Sequence, residues 1–222
     1  MKIRVVSDVL AANDRIAEEN RTQFAAKRVT VINLMSSPGA GKTSLVEKTI
    51  LALRGRFRIG VIEGDIQSTY DAERVAALDT PVVQINTGGG CHLDANMIRE
   101  ALPGLALDAI DLLIVENVGN LVCPAEFQIG EDAKVMILST PEGADKPLKY
   151  PLIFKESQVM ILNKIDLLPH VDFDREKARR TARALNPGLE IFEVSCRTGE
   201  GLPQWFDWLA GRTQAVREGK PR

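Results

Sequence analysis

The amino-acid sequence predicts an α/β fold in three layers, with a mostly parallel, doubly wound sheet of about seven strands between two layers of helices. Three observations support this prediction. Short apolar segments rich in Val, Ile and Leu alternate with helical segments, which is the pattern of a parallel sheet buried on both faces. A chain of 222 residues is long enough for one such domain with a real core. Its content of 45% apolar and 26% charged residues is typical of a globular protein.

The boundaries of the elements follow from the hydrophobic periodicity. Strands are expected at 29–36, 57–63, 81–86, 110–116, 134–139, 158–163 and 190–195. Helices are expected at 7–28, from 41 onward, and at 70–78, 93–102, 147–156, 172–185 and 202–211. We therefore divide the chain into an N-terminal helical segment at 1–28 that packs on the domain, a main domain at 29–212 and a polar C-terminal tail at 213–222. The apolar stripe of the first segment is thin, consisting of Val9, Leu10, Ile16 and Phe24, which predicts a helix on the outside of the domain or against a partner.

Charge and composition argue against several classes of protein. The formal net charge of −2 argues against bulk nucleic-acid binding. No apolar run approaches membrane-spanning length, and the N-terminus lacks the apolar core of a signal peptide. Three cysteines without a scaffold spacing favour reduced thiols over disulfides. We expect a soluble, cytoplasmic protein that binds neither nucleic acid nor a membrane.

The first strand leads into a helix through a glycine-rich turn, Ser36-Ser37-Pro38-Gly39-Ala40-Gly41-Lys42-Thr43. This turn matches the phosphate-loop motif G-x-x-x-x-G-K-[ST] except at the first position, where Ser36 stands. Such a loop binds phosphates because its backbone N–H groups converge on an anion at the N-terminus of a helix. Lys42 is expected to reach the β- and γ-phosphates, and the Thr43 hydroxyl is expected to ligate Mg²⁺. The predicted nucleotide contacts in this turn are Ser37, Gly39, Ala40, Gly41, Lys42, Thr43 and Ser44.

Two later strands end in acidic residues. Asp65 follows the second strand and Glu116 ends the fourth, and both ends should lie beside the phosphate loop. Together with Thr43 they are expected to place Mg²⁺, although Asp65 could instead only order its turn. Gly119 could bring a backbone N–H close to the γ-phosphate, so that its loop senses hydrolysis. The predicted catalytic set is Lys42, Thr43, Asp65, Glu116 and Gly119.

The sixth strand ends in Asn163-Lys164-Ile165-Asp166, an N-K-x-D pattern that is typical of guanine recognition. The Asp166 carboxylate can accept hydrogen bonds from two donors on one edge of guanine, and adenine has no matching pair of donors. Asn163 can bond the opposite edge of the base, and Lys164 can lie over its plane. Ser195, Cys196 and Arg197, after the last strand, resemble the companion loop whose backbone meets the guanine carbonyl. These segments predict GTP rather than ATP as the nucleotide.

Cys91 and His92 follow the third strand, and Cys123 follows the fourth. Thiolate and imidazole are suitable ligands for Zn²⁺, Ni²⁺ or copper, and the two segments should lie at the same edge of the sheet. Three ligands are one short of a tetrahedral set, and adjacent side chains point apart in an extended chain. A site here would therefore be open or shared between protomers. The alternative is two buried cysteines and one hydrogen-bonded histidine.

Five segments together resemble one family, the hydrogenase nickel-incorporation GTPases (HypB). They are SSPGAGKTSL, EGDIQSTYDAERV, NTGGGCHLDANM, ENVGNLVCPAEFQIGED and NKIDLLP, and the resemblance spans about residues 30 to 205. It implies a phosphate-loop GTPase of the dimerising class that includes the signal-recognition GTPases, with slow GTP hydrolysis and a GTP-promoted homodimer. It also implies delivery of nickel to the large subunit of [NiFe] hydrogenase together with an accessory nickel-binding protein. The family's metal site, for Zn²⁺ or Ni²⁺, falls on Cys91, His92 and Cys123.

Other functions stay open at this point. A nickel chaperone for urease is the nearest alternative within the wider class. A small-molecule kinase could use the same phosphate loop, although the segment from Asn163 to Asp166 argues against it. A metal-binding module with incidental hydrolysis is a further alternative. The phosphate loop also lacks the early lysine that some relatives insert across their dimer, so Lys146 and Lys149 are candidates for a residue that acts in trans.

Overall fold

The computed structural model describes residues 9–220. Residues 1–8 of the predicted N-terminal segment and residues 221–222 of the predicted tail lie outside the described residues. Seven strands form one sheet in the order β3-β2-β4-β1-β5-β6-β7, and all neighbouring strands are parallel. The strands are β1 (Thr30–Ser36), β2 (Ile59–Asp65), β3 (Val82–Asn86), β4 (Leu112–Glu116), β5 (Ala133–Ser139), β6 (Val159–Asn163) and β7 (Glu190–Glu193). The predicted α/β sheet is therefore confirmed, and it is parallel throughout.

Helices cover both faces of this sheet. They are α1 (Val9–Lys27), α2 (Lys42–Leu53), α3 (Tyr70–Ala76), α4 (Ala95–Ala101), α5 (Cys123–Glu126), α6 (Lys146–Lys149), α7 (Pro151–Glu156), α8 (Arg175–Leu185) and α9 (Leu202–Arg217). Apolar side chains of α2 and α9 pack with Ile32 and Leu34 on one face of β1. Those of α1 and α4 pack with Val31, and those of α7 and α8 pack near Met35, on the opposite face. The sheet is thus the middle of three layers.

Two predicted helices differ from those in the structure. The helix expected at 147–156 is divided at Tyr150, because Pro151 disfavours helical backbone at the residue before it. The helix expected to end at residue 211 continues to Arg217, because Thr213 and Val216 are buried against the domain. The first residues of the expected tail therefore belong to α9.

Helix α1 lies against α4 and the segment before β5 through polar side chains. Its buried residues are Asn13, Ala17, Asn20 and Phe24, whereas Val9 and Leu10, members of the predicted apolar stripe, are exposed. The Asn13 side chain donates to Gln128 O and accepts from Ala95 N, and Asn20 Nδ2 donates to Ala95 O and Ile129 O. Buried asparagines therefore provide much of the attachment of α1 to the domain.

All strands are parallel, so their carboxyl ends lie at one edge of the sheet. The loops that follow β1, β2, β3, β4 and β6 leave from this edge, and they carry the residues that the sequence analysis singled out. The functional site is therefore built at this edge.

Candidate nucleotide and metal sites

The turn between β1 and α2 has the backbone of a phosphate loop. Gly39 and Gly41 adopt positive φ angles of 74° and 102°, which favour glycine. A Cβ atom at Gly41 would lie 2.5 Å from Asn163 Nδ2, so the loop after β6 also requires glycine there. Lys42 is buried, and its ammonium donates to Ser36 Oγ at 3.2 Å and lies 4.0 Å from Glu116 Oε1. Ser36, the departure from the motif, is thus a partner of the phosphate-loop lysine.

Acidic residues meet this loop from the neighbouring strands. Thr43 Oγ1 donates to Glu116 Oε1 at 3.0 Å, and Glu116 pairs in register with Glu63 on β2. Burial raises the pKa of both carboxyls, and the Glu116 charge raises that of Glu63 further, whereas Lys42 and Thr43 limit the rise at Glu116. The pKa of Glu63 is therefore raised further than that of Glu116. Glu63 Oε1 and Glu116 Oε2 are buried without a hydrogen-bond partner among the described residues.

Sequence reasoning missed Glu63 because it lies within the strand, before the more obvious Asp65. Asp65 Oδ1 accepts from Gln67 N at 2.9 Å and Ser68 N at 3.1 Å. Burial opposes ionisation of Asp65, but these backbone donors hold its pKa below the usual value. Asp65 therefore orders its turn, and it also lines the cavity in front of the phosphate loop. The donor set of Thr43, Asp65 and Glu116 with an unpaired carboxylate oxygen fits Mg²⁺.

The loop after β4 touches the phosphate loop at Gly119. A Cβ atom there would lie 2.9 Å from Pro38 Cγ and 3.0 Å from Pro38 backbone atoms. A larger residue would push the two loops apart. Gly119 and Asp65 line a cavity of about 500 Å³ together with the phosphate loop.

The loops after β6 and β7 form a second cavity of about 350 Å³ that shares Gly41, Ser44 and Lys164 with the first. Asn163 Nδ2 donates to Ala40 O at 2.9 Å, and Asn163 Oδ1 accepts from Cys196 N at 3.2 Å. These bonds fix the loop after β6 against the phosphate loop and the loop after β7. The second cavity is lined by Gly41, Ser44, Glu47, Lys48, Asn163, Lys164, Asp166, Leu167, Cys196 and Arg197.

Within this cavity the carboxylate of Asp166 is held in place by Ser195, whose Oγ donates to Asp166 Oδ1 at 2.6 Å. Lys164 Nζ donates to Gly39 O at 2.6 Å and crosses between the two cavities. Burial raises the pKa of Cys196 to about 11, so its thiol stays protonated at neutral pH. The structure therefore brings the phosphate loop, the acidic residues and the segments around Asn163–Asp166 and Ser195–Arg197 to one edge of the sheet, as the sequence predicted.

The predicted metal ligands also meet. Ligand atoms of Cys91, His92 and Cys123 all lie within 4.8 Å of one another. Cys91 Sγ is 3.1 Å from Cys123 Sγ and 3.6 Å from His92 Nδ1. The expectation that adjacent side chains point apart fails here, because the chain bends after the turn at 87–90 instead of running extended. Cys91 is exposed and Cys123 is half-buried, so these two cysteines are not core residues.

The surroundings of this group suit metal binding. The His92 ring lies against Phe127 with ring centroids 4.0 Å apart, and burial lowers the pKa of His92, which favours the neutral imidazole that ligates metals. Asn120 Nδ2 donates to Cys91 O at 3.2 Å and joins the two ligand loops. Two sulfurs and one nitrogen leave a tetrahedral or square-planar ion with an open position.

A phosphate loop and two adjoining cavities that share Gly41, Ser44 and Lys164 define a phosphate-loop nucleotide-binding domain. Residues 30–193 match the model of the CobW/HypB/UreG nucleotide-binding domain. The chain is 53% identical over 207 residues to hydrogenase maturation factor HypB of Escherichia coli (strain K12), an alignment that covers 93% of this chain and 71% of that protein. The chain belongs to the HypB hydrogenase maturation factors within the CobW/HypB/UreG family, as its motifs predicted.

Solved structures agree with this assignment. The crystal structure of HypB from Helicobacter pylori in complex with nickel matches with a TM-score of 0.87 at 35% identity, covering 95% of this chain and 98% of that one. HypB from Archaeoglobus fulgidus also matches with a TM-score of 0.87, at 39% identity, covering 92% of this chain and all of that one. The signal recognition particle receptor FtsY of Elizabethkingia anophelis shares the fold alone, with a TM-score of 0.52 at 13% identity over 82% of this chain and 70% of that one. Within residues 9–220, no helix combines the length and apolar character needed to cross a membrane.

Proposed function

We propose that this protein is a GTP-hydrolysing metallochaperone that helps to insert nickel into [NiFe] hydrogenase during maturation. The observation that carries the proposal is the convergence of Cys91, His92 and Cys123 on the loops that follow β3 and β4. The loop after β4 also lines the nucleotide cavity through Gly119. Metal ligands and nucleotide contacts therefore share one loop, which is the arrangement that a nucleotide-controlled metal carrier requires.

The nucleotide chemistry follows from the residues that line the two cavities. Asp166, fixed by Ser195, accepts the donors of guanine, and the phosphate loop holds the phosphates with Lys42 compensating their charge. Thr43, Asp65 and Glu116 would hold Mg²⁺, which neutralises charge that develops on the phosphates during transfer. We assign none of the residues that line the cavity as a strong general base for the attacking water. Positioning and charge stabilisation therefore dominate, and slow turnover is expected.

The nucleotide state would reach the metal through the two loops that follow Asp65 and Glu116. With GTP bound, a backbone N–H at Gly119 can meet the γ-phosphate, and the close packing of Gly119 on Pro38 limits where that loop can lie. Loss of the γ-phosphate would release the loop and shift Cys123. Nickel is then cargo whose affinity depends on the nucleotide, although Zn²⁺ fits the same three ligands.

The proposed partners are a second copy of this chain in a GTP-promoted homodimer, an accessory nickel-binding protein and the large subunit of the hydrogenase. Three exposed apolar side chains lie at or next to residues of the two sites and suit a contact surface: Ile66, Tyr70 and Val122. Lys146 is a candidate for a residue acting in trans, whereas Lys149 is paired with Asp145 at 2.6 Å. The cytoplasm is the proposed compartment, since the thiols must stay reduced to bind metal.

Titration of the protein with Ni²⁺ and with Zn²⁺, in the presence of GDP or a non-hydrolysable GTP analogue, tests this function. Cys91→Ala, His92→Ala and Cys123→Ala should each abolish or strongly weaken binding, and the nucleotide should change the wild-type affinity. His170→Ala, which removes the other histidine at an exposed loop position, is the matched control and should bind metal normally.

Other outcomes would favour the alternatives. Metal binding that survives all three substitutions would overturn the metal site and leave a nucleotide-binding protein with another cargo. Competition by ATP as strong as that by GTP would favour a kinase. Hydrogenase maturation supported by Lys42→Ala would favour a metal-binding module with incidental hydrolysis, and activation of urease instead of hydrogenase would favour the urease chaperone.

A further inference from the structure

A buried asparagine joins the loop after β4 to the loop that carries Cys91 and His92. Asn117 directly follows Glu116 and is fully buried. Its Oδ1 accepts from Leu93 N at 2.9 Å and from Val118 N at 3.0 Å. Leu93 is the residue after His92, so one amide oxygen holds both the nucleotide-side loop and a ligand-bearing loop.

The hydrogen bonds of Asn117 also begin a series of polar contacts that leads across the sheet toward Cys123. Asn117 Nδ2 donates to Asn33 Oδ1 at 3.1 Å, and Asn33 Nδ2 donates to Glu131 Oε1 at 3.4 Å. Lys134 lies beside Asn33 in the register of β5, with its ammonium 4.0 Å from Glu131 Oε1. Lys134 Nζ donates to Ala125 O at 2.7 Å. Ala125 lies in α5, the helix that begins with Cys123.

The connected side chains of Asn117, Asn33, Glu131 and Lys134 form a polar chain. Its location between two apolar clusters of the core is unusual for charged residues. Asn33, Asn117, Glu131 and Lys134 are all buried. Replacing such a charged, hydrogen-bonded group with apolar residues is often neutral or stabilising, so fold stability alone does not account for it. The two ends of this polar chain bond to Leu93 N and Ala125 O, main-chain groups close to His92 and Cys123. This arrangement indicates a role in placing the metal ligands.

We propose that Asn117 and Lys134 are positioning residues, and that their polar chain sets the distance between the His92 loop and the Cys123 helix and changes it with the nucleotide. This inference rests on the proposed function and deepens it. Asn117 lies between Glu116 and Gly119, so a movement of that loop moves the hydrogen bond to Leu93. The two ligand loops are thereby coupled to one another and to the nucleotide, in addition to the direct connection from Gly119 to Cys123.

The test compares Asn117→Ala, Lys134→Met and wild type by Ni²⁺ titration with GDP and with a non-hydrolysable GTP analogue. Loss of a direct partner of a metal ligand weakens binding by about 10- to 100-fold. Because Asn117 and Lys134 bond the backbone of Leu93 and Ala125 and not the ligands, we expect a loss of about 10-fold in both variants, and a ratio of the two affinities that moves toward one. Asn186→Ala is the matched control, because Asn186 Nδ2 bonds three backbone carbonyls near the amino ends of β6 and β7. It should lower the melting temperature and leave the ratio unchanged.

The outcomes separate this inference from the proposed function. If wild-type Ni²⁺ affinity does not depend on the nucleotide, the proposed function fails. If wild type shows the dependence and both variants retain it, only this inference is overturned. If neither variant folds, amide hydrogen exchange of Leu93 in the wild type decides: the inference requires different protection in the GDP and GTP-analogue forms, and equal protection contradicts it.

Discussion

The nucleotide side and the metal side of this protein are held together in different ways. On the nucleotide side, the site residues bond to one another, as Asn163 does to Ala40, Lys164 to Gly39 and Ser195 to Asp166. On the metal side, Cys91, His92 and Cys123 lie on two loops that are joined through Asn117 and Asn120, which bond to backbone groups of the partner loop. The phosphate loop and the loops after β6 and β7 are thus ordered by bonds among the site residues themselves, whereas the metal ligands depend on bonds between the two loops that carry them. This difference suits a protein that must bind nucleotide firmly and release a metal.

The largest expected effect is on the nucleotide side. Lys42→Ala removes the ammonium that lies beside Glu116 and that we propose compensates the charge of the phosphates, so GTP hydrolysis should fall by about 100- to 1,000-fold. The three metal ligands are untouched, so Ni²⁺ affinity measured without nucleotide should stay within about twofold of wild type. Phosphate release and metal titration on the same preparation check both statements. A loss of basal metal affinity would contradict the separation of the two sites.

A second prediction concerns the thiols of the two sides. Burial raises the pKa of Cys196 to about 11 from its usual 9.0, which lowers its thiolate fraction at neutral pH by about 100-fold. Cys91, by contrast, is exposed. Iodoacetamide at pH 8 in metal-free buffer should therefore alkylate Cys91 and leave Cys196 unmodified, as peptide mass spectrometry would show. Modification of Cys196 should rise with pH up to about 11, and equal labelling of both thiols at pH 8 would contradict the assignment.

The same contrast explains what the sequence could predict. The phosphate loop and the segment from Asn163 to Asp166 are short, contiguous patterns whose chemistry depends on neighbouring residues, so their positions and partners followed from the sequence. The metal ligands were found by residue type. Their convergence depended on a turn that was not visible in the pattern.

What the sequence could not predict depends on strand order and on tertiary contacts. Glu63 faces Glu116 because β2 lies beside β4, and no local pattern gives that neighbour. The asparagines that attach α1 look like surface residues in a helical pattern, so the exposed Val9 was preferred as a packing residue. The extension of α9 beyond residue 211 likewise depends on Thr213 and Val216 meeting the domain. The division at residues 28 and 212 stays a prediction about domains.

A third prediction tests how the buried asparagines of helix α1 stabilise its attachment to the domain. Asn20→Ala leaves the carbonyls of Ala95 and Ile129 without this donor, which should cost about 1 to 3 kcal/mol in the free energy of unfolding. Urea unfolding measures this loss. Affinity for GDP should stay unchanged, because Asn20 contacts none of the loops around the nucleotide. Asn96→Ala is a control at an exposed side-chain hydrogen bond and should change stability by less than about 0.5 kcal/mol.

The smallest expected effect concerns the rigidity of the nucleotide side. Ser195→Ala removes the hydroxyl that donates to Asp166 Oδ1 and accepts from Thr198 N at 3.1 Å. A hydrogen bond of this kind contributes about 1 kcal/mol net, so GDP affinity should fall by roughly fivefold. Asp166→Ala, which removes the base contact itself, should reduce it by at least about tenfold more. Fluorescence titration with a labelled guanine nucleotide measures both variants. If Ser195→Ala weakens binding as much as Asp166→Ala, the serine contacts the base directly and does not act by orienting the carboxylate.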